Sequence, residues 1–179
     1  MKFRNLKASE IECRVNQINE NGLTLLLYKD ARCDMNILDE TVGSMNWQRK
    51  HNRDNANCIV SIYDDKKNIW IEKEDTGIES NNQAEKGLAS DSFKRACVNW
   101  GIGRELYTAP FIYIPSDNCK IKKNDKGKFI TYDKFRVGAI SYDENKNING
   151  LIIVNQKKEK VFTLLPPKKE EDKQDEDNK

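Results

Sequence analysis

The stretch "ASDSFKRACVNWGIGREL", residues 89–106, decides the fold. At about 100° per residue, Ala89, Phe93, Ala96 and Trp100 gather on one side of a helix, with Cys97 at the edge of the cluster. A stripe of this kind needs a sheet to cover it. Lys94 and Arg95 lie roughly 120° to 140° from the centre of the stripe, so both charged heads point outward. Gly101 and Gly103 then supply the stop, because glycine lets the backbone turn sharply. Asp91 with Lys94 and Arg95 is also the ordinary make-up of a solvated helix face, where ion pairs add little stability. The small residues Ala89, Ser90, Ser92 and Ala96 would let another surface approach closely, which favours a phosphate contact at the two cations.

Working outward, Ser80 and Gln83 have the spacing of a capping box, which predicts a helix from about Asn82 to Trp100. Before it, Asn57–Tyr63 (NCIVSIY) and Asn68–Glu74 (NIWIEKE) are β-branched and aromatic runs joined by the polar DDKK turn, a hairpin with a further strand expected near Trp47. Met35, Leu38 and Val42 recur at helical spacing with Ile37 on the flank, and Gly43 ends that helix. At the N-terminus, alternating Ile11, Cys13 and Val15, the Asn21-Gly22 turn and the run Leu23–Leu27 read as a hairpin. Beyond residue 106 short strands are expected at 111–114, 136–142, 151–155 and 161–165, with residues 116–128 as a basic loop or hairpin tip. The expected class is α+β, a mainly antiparallel sheet packed on the central helix.

Composition narrows the function. The chain has 179 residues, 37% hydrophobic and 34% charged, enough to bury one core under a heavily solvated exterior. Residues 1–165 are expected to form one domain. The segment 166–179 begins with two prolines and has no apolar residue, so it is expected to be a disordered charged tail. No apolar run approaches the roughly 20 residues that span a bilayer, and the N-terminus lacks the apolar stretch of a secretory signal. The expected location is therefore cytoplasmic, with no membrane partner. Five cysteines are widely spaced, there is no CxxC pair, and His51 is the only histidine, so no metal or other cofactor is expected. Residues 168–179 hold four Lys and six Asp or Glu, so the overall charge of +2 leaves +4 on residues 1–167. That mild excess permits nucleic-acid binding if the fold gathers Arg32, Arg49, Lys50, Arg53, Lys86 and Arg104 into a track with Lys94 and Arg95.

The run EKGLASDSFKRACVNWGIGRELY, preceded by a three-strand pattern and by ILDETVGSMNW, resembles the annealing domain of the Rad-fifty-two family of single-strand annealing recombination proteins, in its shorter phage and prophage form. The likeness covers roughly residues 9–115. Its Asp-x-x-Lys-Arg-Ala run and helix-ending Gly correspond to Asp91, Lys94, Arg95, Ala96 and Gly101, and its Asn-x-x-x-Glu-x-x-Gly-x-x-x-Trp pattern to Asn36, Glu40, Gly43 and Trp47. The resemblance implies a β-β-β-α core, assembly into a homo-oligomeric ring, and single-stranded DNA in an outer basic groove. It implies groove cations at Lys94 and Arg95, and a groove arginine at Arg32, although strict counting from Trp47 lands on Cys33. A third helix cation of eukaryotic members is Val98 here, and no counterpart of their long C-terminal extension is expected. A host or phage single-strand-binding protein is a further partner that DNA recombination and repair would involve; a phage protein would act in the cytoplasm of its bacterial host.

Annealing makes and breaks no covalent bond, so the expectation is a protein that is not an enzyme and needs neither ATP nor metal. It requires cations that hold a strand with its bases outward. Two other readings compete with it. A metal-dependent nuclease would use Asp64, Asp65, Glu72 and Lys73, but adjacent Glu72 and Lys73 point to opposite faces of a strand. A nucleic-acid-binding module that does not anneal would use the same basic helix. Gly101-x-Gly103 ends a helix where a dinucleotide fingerprint would open one, and His51 is read as a loop residue with no evident catalytic partner.

Overall fold

The computed structural model describes residues 1–78 and 84–167, with the side chains of 84–86 outside that description. The Ser80 and Gln83 capping box and most of the charged tail fall outside the described residues. Strands β1 (Glu12–Ile18) and β2 (Gly22–Tyr28) are followed by α1 (Ala31–Val42), β3 (Trp47–Asn52), β4 (Asn57–Asp64), β5 (Ile69–Thr76) and α2 (Ala84–Trp100). Then come β6 (Ile112–Pro115), β7 (Ile121–Lys123), β8 (Phe129–Thr131), β9 (Phe135–Tyr142), β10 (Ile148–Asn155) and β11 (Lys160–Leu164). The class is mixed α+β, and every strand pair is antiparallel.

Where one sheet was expected, the strands form three, in the orders β11-β10-β9-β1-β2-β6, β3-β4-β5 and β7-β8. They fall into two compact units. The first contains Met1–Leu6 and Lys29–Tyr107; the second contains Lys7–Tyr28 and the chain from Thr108 on. The reason lies in β2, which pairs both with its hairpin partner β1 and with β6, Leu25 standing opposite Ile112. The chain therefore leaves the second unit at Tyr28 and returns to it after Tyr107.

In the first unit, α2 rests on β4 and β5 and touches α1. Phe93, Ala96 and Cys97 are fully buried, together with Ser92, while Ala89 and Trp100 are half-buried. On the sheet side Cys58, Val60 and Ile62 complete the core. Fully burying a side chain of this size is worth about 1.5 to 3 kcal/mol. Two close contacts set the helix: Trp100 donates its indole N–H to the Val60 carbonyl at 3.0 Å, and Asn99 donates to the Glu74 carbonyl at 2.8 Å. Gly77 lies so near that a Cβ there would stand 2.6 Å from the Ser92 backbone nitrogen. The helix ends in a Schellman motif, with Gly101 at φ 96°, its N–H on the Val98 carbonyl, and the Ile102 N–H on the Cys97 carbonyl at 3.1 Å.

The buried stripe of α1 differs from expectation. Cys33, Asp34, Ile37 and Leu38 are buried, whereas Met35 and Val42 are only half-buried. Ile37 and Leu38 carry this face into the core, and Asp34 on the same face pairs with a buried lysine, Lys29, which directly precedes the N-cap. Apolar periodicity alone carries no sign of that pair.

The second unit is built round β2, β6, β9 and β10, whose inward residues Leu23, Leu25, Ile112, Ile114, Val137, Leu151 and Ile153 form its core. Strands β1 and β9 share one register pair, Glu12 with Arg136, and then part. The gap is a recess of about 770 Å³ lined by Ile11, Cys13, Val15, Phe135 and Val137 among others. Residues 121–131 form the β7-β8 hairpin at the segment read as a basic loop or hairpin tip.

Candidate nucleic-acid interface

The candidate interface lies on α2. Lys94 and Arg95 keep 27% and 39% of their side-chain surface exposed, although Phe93 and Ala96 on either side of them are sealed. Adjacent helical residues differ by about 100°, so the two heads leave α2 on either side of the line through Asp91 and Val98. Lys94 leans toward α1, where its charge acts on Asp34. Arg95 leans toward β5, with its Nε 3.6 Å from Asp75. A strand touching both must therefore cross the helix.

Neither cation is strongly held. The Lys94 ammonium stands 4.0 Å from Asp91, whose other oxygen accepts the Ile78 N–H at 3.0 Å. The Arg95 Nε is covered by neighbouring atoms and has no hydrogen-bond partner among the described residues. Partly exposed pairs of this kind contribute about 0 to 1 kcal/mol. A phosphate could displace either carboxylate at small cost, and the planar guanidinium could bind two of its oxygens.

The remaining expected cations do not extend this surface into one track. Arg32 is 82% exposed and paired with the N-cap residue Asp30 at 2.8 Å. It stands on the side of α1 opposite the buried stripe. Arg49 faces α2, its guanidinium carbon 4.7 Å above the Phe93 ring, and that ring stacks on Trp47 with centroids 6.1 Å apart. Lys50, the next residue in β3, is exposed on the opposite sheet face, because side chains alternate along a strand. Arg104 folds back on the end of α2 and donates to the Val98 carbonyl at 2.9 Å and the Asn99 carbonyl at 3.2 Å. It satisfies helix-end carbonyls. Arg53 sits in the β3-β4 turn with φ 51°. The side chain of Lys86 lies outside the described residues.

Three features of the site had no signal in the sequence. Asp34 is buried beside Lys29, and one of its oxygens has no hydrogen-bond partner among the described residues. Burial pushes its carboxyl up to about 6, against the opposing pull of Lys29 and Lys94. Asp75 is the carboxylate that meets Arg95. His51, read as a loop residue, lies half-buried in β3, because pairing with Cys58 carries that strand through to Asn52. Its Nδ1 is 3.4 Å from the Ser92 hydroxyl, and burial together with Arg49 lowers its basicity. Ser92 also reaches the Asn55 carbonyl at 2.9 Å, so these polar groups serve to seat α2 on the sheet and turn.

Of the residues considered for a nuclease, Asp65 lies in the turn after β4, and Glu72 and Lys73 face opposite sides of β5. Glu72 accepts from the Ser61 hydroxyl at 3.1 Å. Lys73 turns the other way, onto the Trp100 ring and the Asn99 carbonyl. Among the described residues no helix is long and apolar enough to cross a membrane. No protein-family model, curated protein or solved structure matches the chain.

Proposed function

We propose that this protein binds single-stranded DNA across α2 and promotes the annealing of complementary strands in recombination and repair, without ATP or metal. One observation carries the reading: Lys94 and Arg95 stay partly exposed on a helix whose flanking residues are sealed, and their ion pairs with Asp91 and Asp75 are long, at 4.0 Å and 3.6 Å. The likeness of Asp91, Lys94, Arg95, Ala96 and Gly101 to the annealing family supports it. So does the order of three paired strands followed by a helix at residues 47–100. Lys94 would serve as a point charge and Arg95 as a fork on successive phosphates, leaving the bases free to pair. Arg32 and Arg49 stand apart on α1 and β3, and would meet the strand only if it runs beyond α2. Two cations give little affinity alone. A homo-oligomeric ring would repeat them and multiply the contact through effective concentration.

The test is an annealing reaction with complementary oligonucleotides, in the presence of a chelator and without nucleotide. The expected result is acceleration by the native protein, with acceleration lost and strand binding severely weakened in Lys94→Ala/Arg95→Ala. Strand binding without acceleration would favour the non-annealing module. Magnesium-dependent cleavage that vanishes in Asp65→Asn would support the nuclease.

A further inference from the structure

The net positive charge of residues 1–167 is concentrated in one stretch of sequence. Residues 116–136, in the second unit, hold seven Lys or Arg and three Asp, a net of +4. That equals the net charge of residues 1–167, so the rest of this span is neutral. The acids here do not neutralise the lysines. Asp133 accepts the Lys120 backbone N–H at 2.6 Å and the Gln156 side-chain amide at 2.8 Å. Among the described residues Lys120, Lys122, Lys123, Lys126 and Lys128 are exposed, and none enters an ion pair.

The segment is also built to present those charges. Strands β7 and β8 pair Lys122 with Ile130 and Lys123 with Phe129. In the turn between them the Asn124 side-chain oxygen accepts the N–H groups of Lys126 at 3.0 Å and Lys128 at 2.9 Å, and Gly127 takes φ 72°. At the base of the hairpin a recess of about 590 Å³ is lined by Lys120, Lys122, Lys123, Phe129 and Cys119 among others. The Lys123 ammonium lies 5.0 Å above the Phe129 ring, and Tyr132 just beyond β8 is 77% exposed. Exposed lysines beside an exposed tyrosine ring supply what an unpaired polynucleotide requires: ammonium groups for its phosphates and a flat face for a base.

We propose that the β7-β8 hairpin is a second contact for single-stranded nucleic acid, separate from α2 and independent of whether the protein anneals. A single exposed tyrosine among charged residues gives a base a face to stack on but gives a bilayer little apolar surface to bury, which favours a polynucleotide over an anionic membrane. Binding of a fluorescent oligothymidylate is measured between about 50 and 200 mM salt for the native chain, Lys122→Gln/Lys123→Gln/Lys126→Gln and Lys94→Ala/Arg95→Ala. Losing three phosphate contacts should lower the slope of log affinity against log salt by about 2, with at least a tenfold loss of affinity at the low end of the range. The melting temperature should be unchanged, since all three lysines are exposed. Tyr132→Ala should weaken oligothymidylate binding more than binding of inorganic polyphosphate, which has no bases. An unchanged slope and affinity in the triple variant would overturn the proposal. So would capture of phosphatidylserine vesicles by a native protein that ignores the oligonucleotide. Weakened binding in the triple variant together with native binding in Lys94→Ala/Arg95→Ala would support the hairpin contact and count against the α2 reading.

Discussion

Phe93 and its two neighbours in sequence show how one helical turn divides its duties. The Phe93 ring is sealed between Trp47 and the Arg49 guanidinium, so Phe93→Ala should cost about 3 to 5 kcal/mol in urea-induced unfolding. Lys94→Ala and Arg95→Ala, which each remove one weak pair, should cost under about 1 kcal/mol apiece in the same measurement. Asp34 gives a pH signature. Its carboxyl is raised in the fold by burial, so the folded state holds a proton that the unfolded chain has released. The stabilisation that follows is full below the ordinary carboxylate range and is lost as pH rises through about 6. Measured against Asp34→Asn, the native protein should therefore lose on the order of 2 to 3 kcal/mol between about pH 4 and pH 6.5. A flat difference across that window would mean that Lys29 keeps Asp34 ionised throughout.

At the level of elements, α2 is held by close approach as much as by apolar burial. Gly77→Ala would place a methyl group against the Ser92 nitrogen and near the Leu88 carbonyl, atoms of a helix backbone that cannot swing aside. A loss of about 1 to 3 kcal/mol is expected, read as a lower melting temperature. Gly101→Ala meets open space, yet its left-handed backbone should still cost about 1 kcal/mol. The elements themselves were legible. The helix at Ala31–Val42, the hairpin of β4 and β5, and the end of α2 at Gly101 follow from periodicity and turn chemistry, which act over a few residues. Less legible were properties set by distant partners. The charge pairing of buried Asp34 depends on Lys29, the split into separate sheets depends on β2 pairing with β6, and the roles of Arg49 and Arg104 depend on Phe93 and the Val98 carbonyl. A list of cations along the chain cannot show that Lys50 faces away from α2 or that Arg104 caps it.

For the whole molecule, the two units carry different optical labels. All three tryptophans, Trp47, Trp70 and Trp100, lie in the first unit, whereas Tyr132 and the lysine hairpin belong to the second. Oligonucleotide bound across α2 should quench tryptophan emission. In Lys94→Ala/Arg95→Ala the quenching that comes from contact with α2 should be lost. The second unit also contains a seam. Its six-stranded sheet is joined between β1 and β9 by the single rung of Glu12 and Arg136, and past that rung the strands diverge round a recess. A zipper with one closed tooth resists shear poorly. Deuterium uptake along the facing edges of those strands should outrun uptake in β10, which is laddered on both sides, and a force applied across the sheet should part it at this seam first.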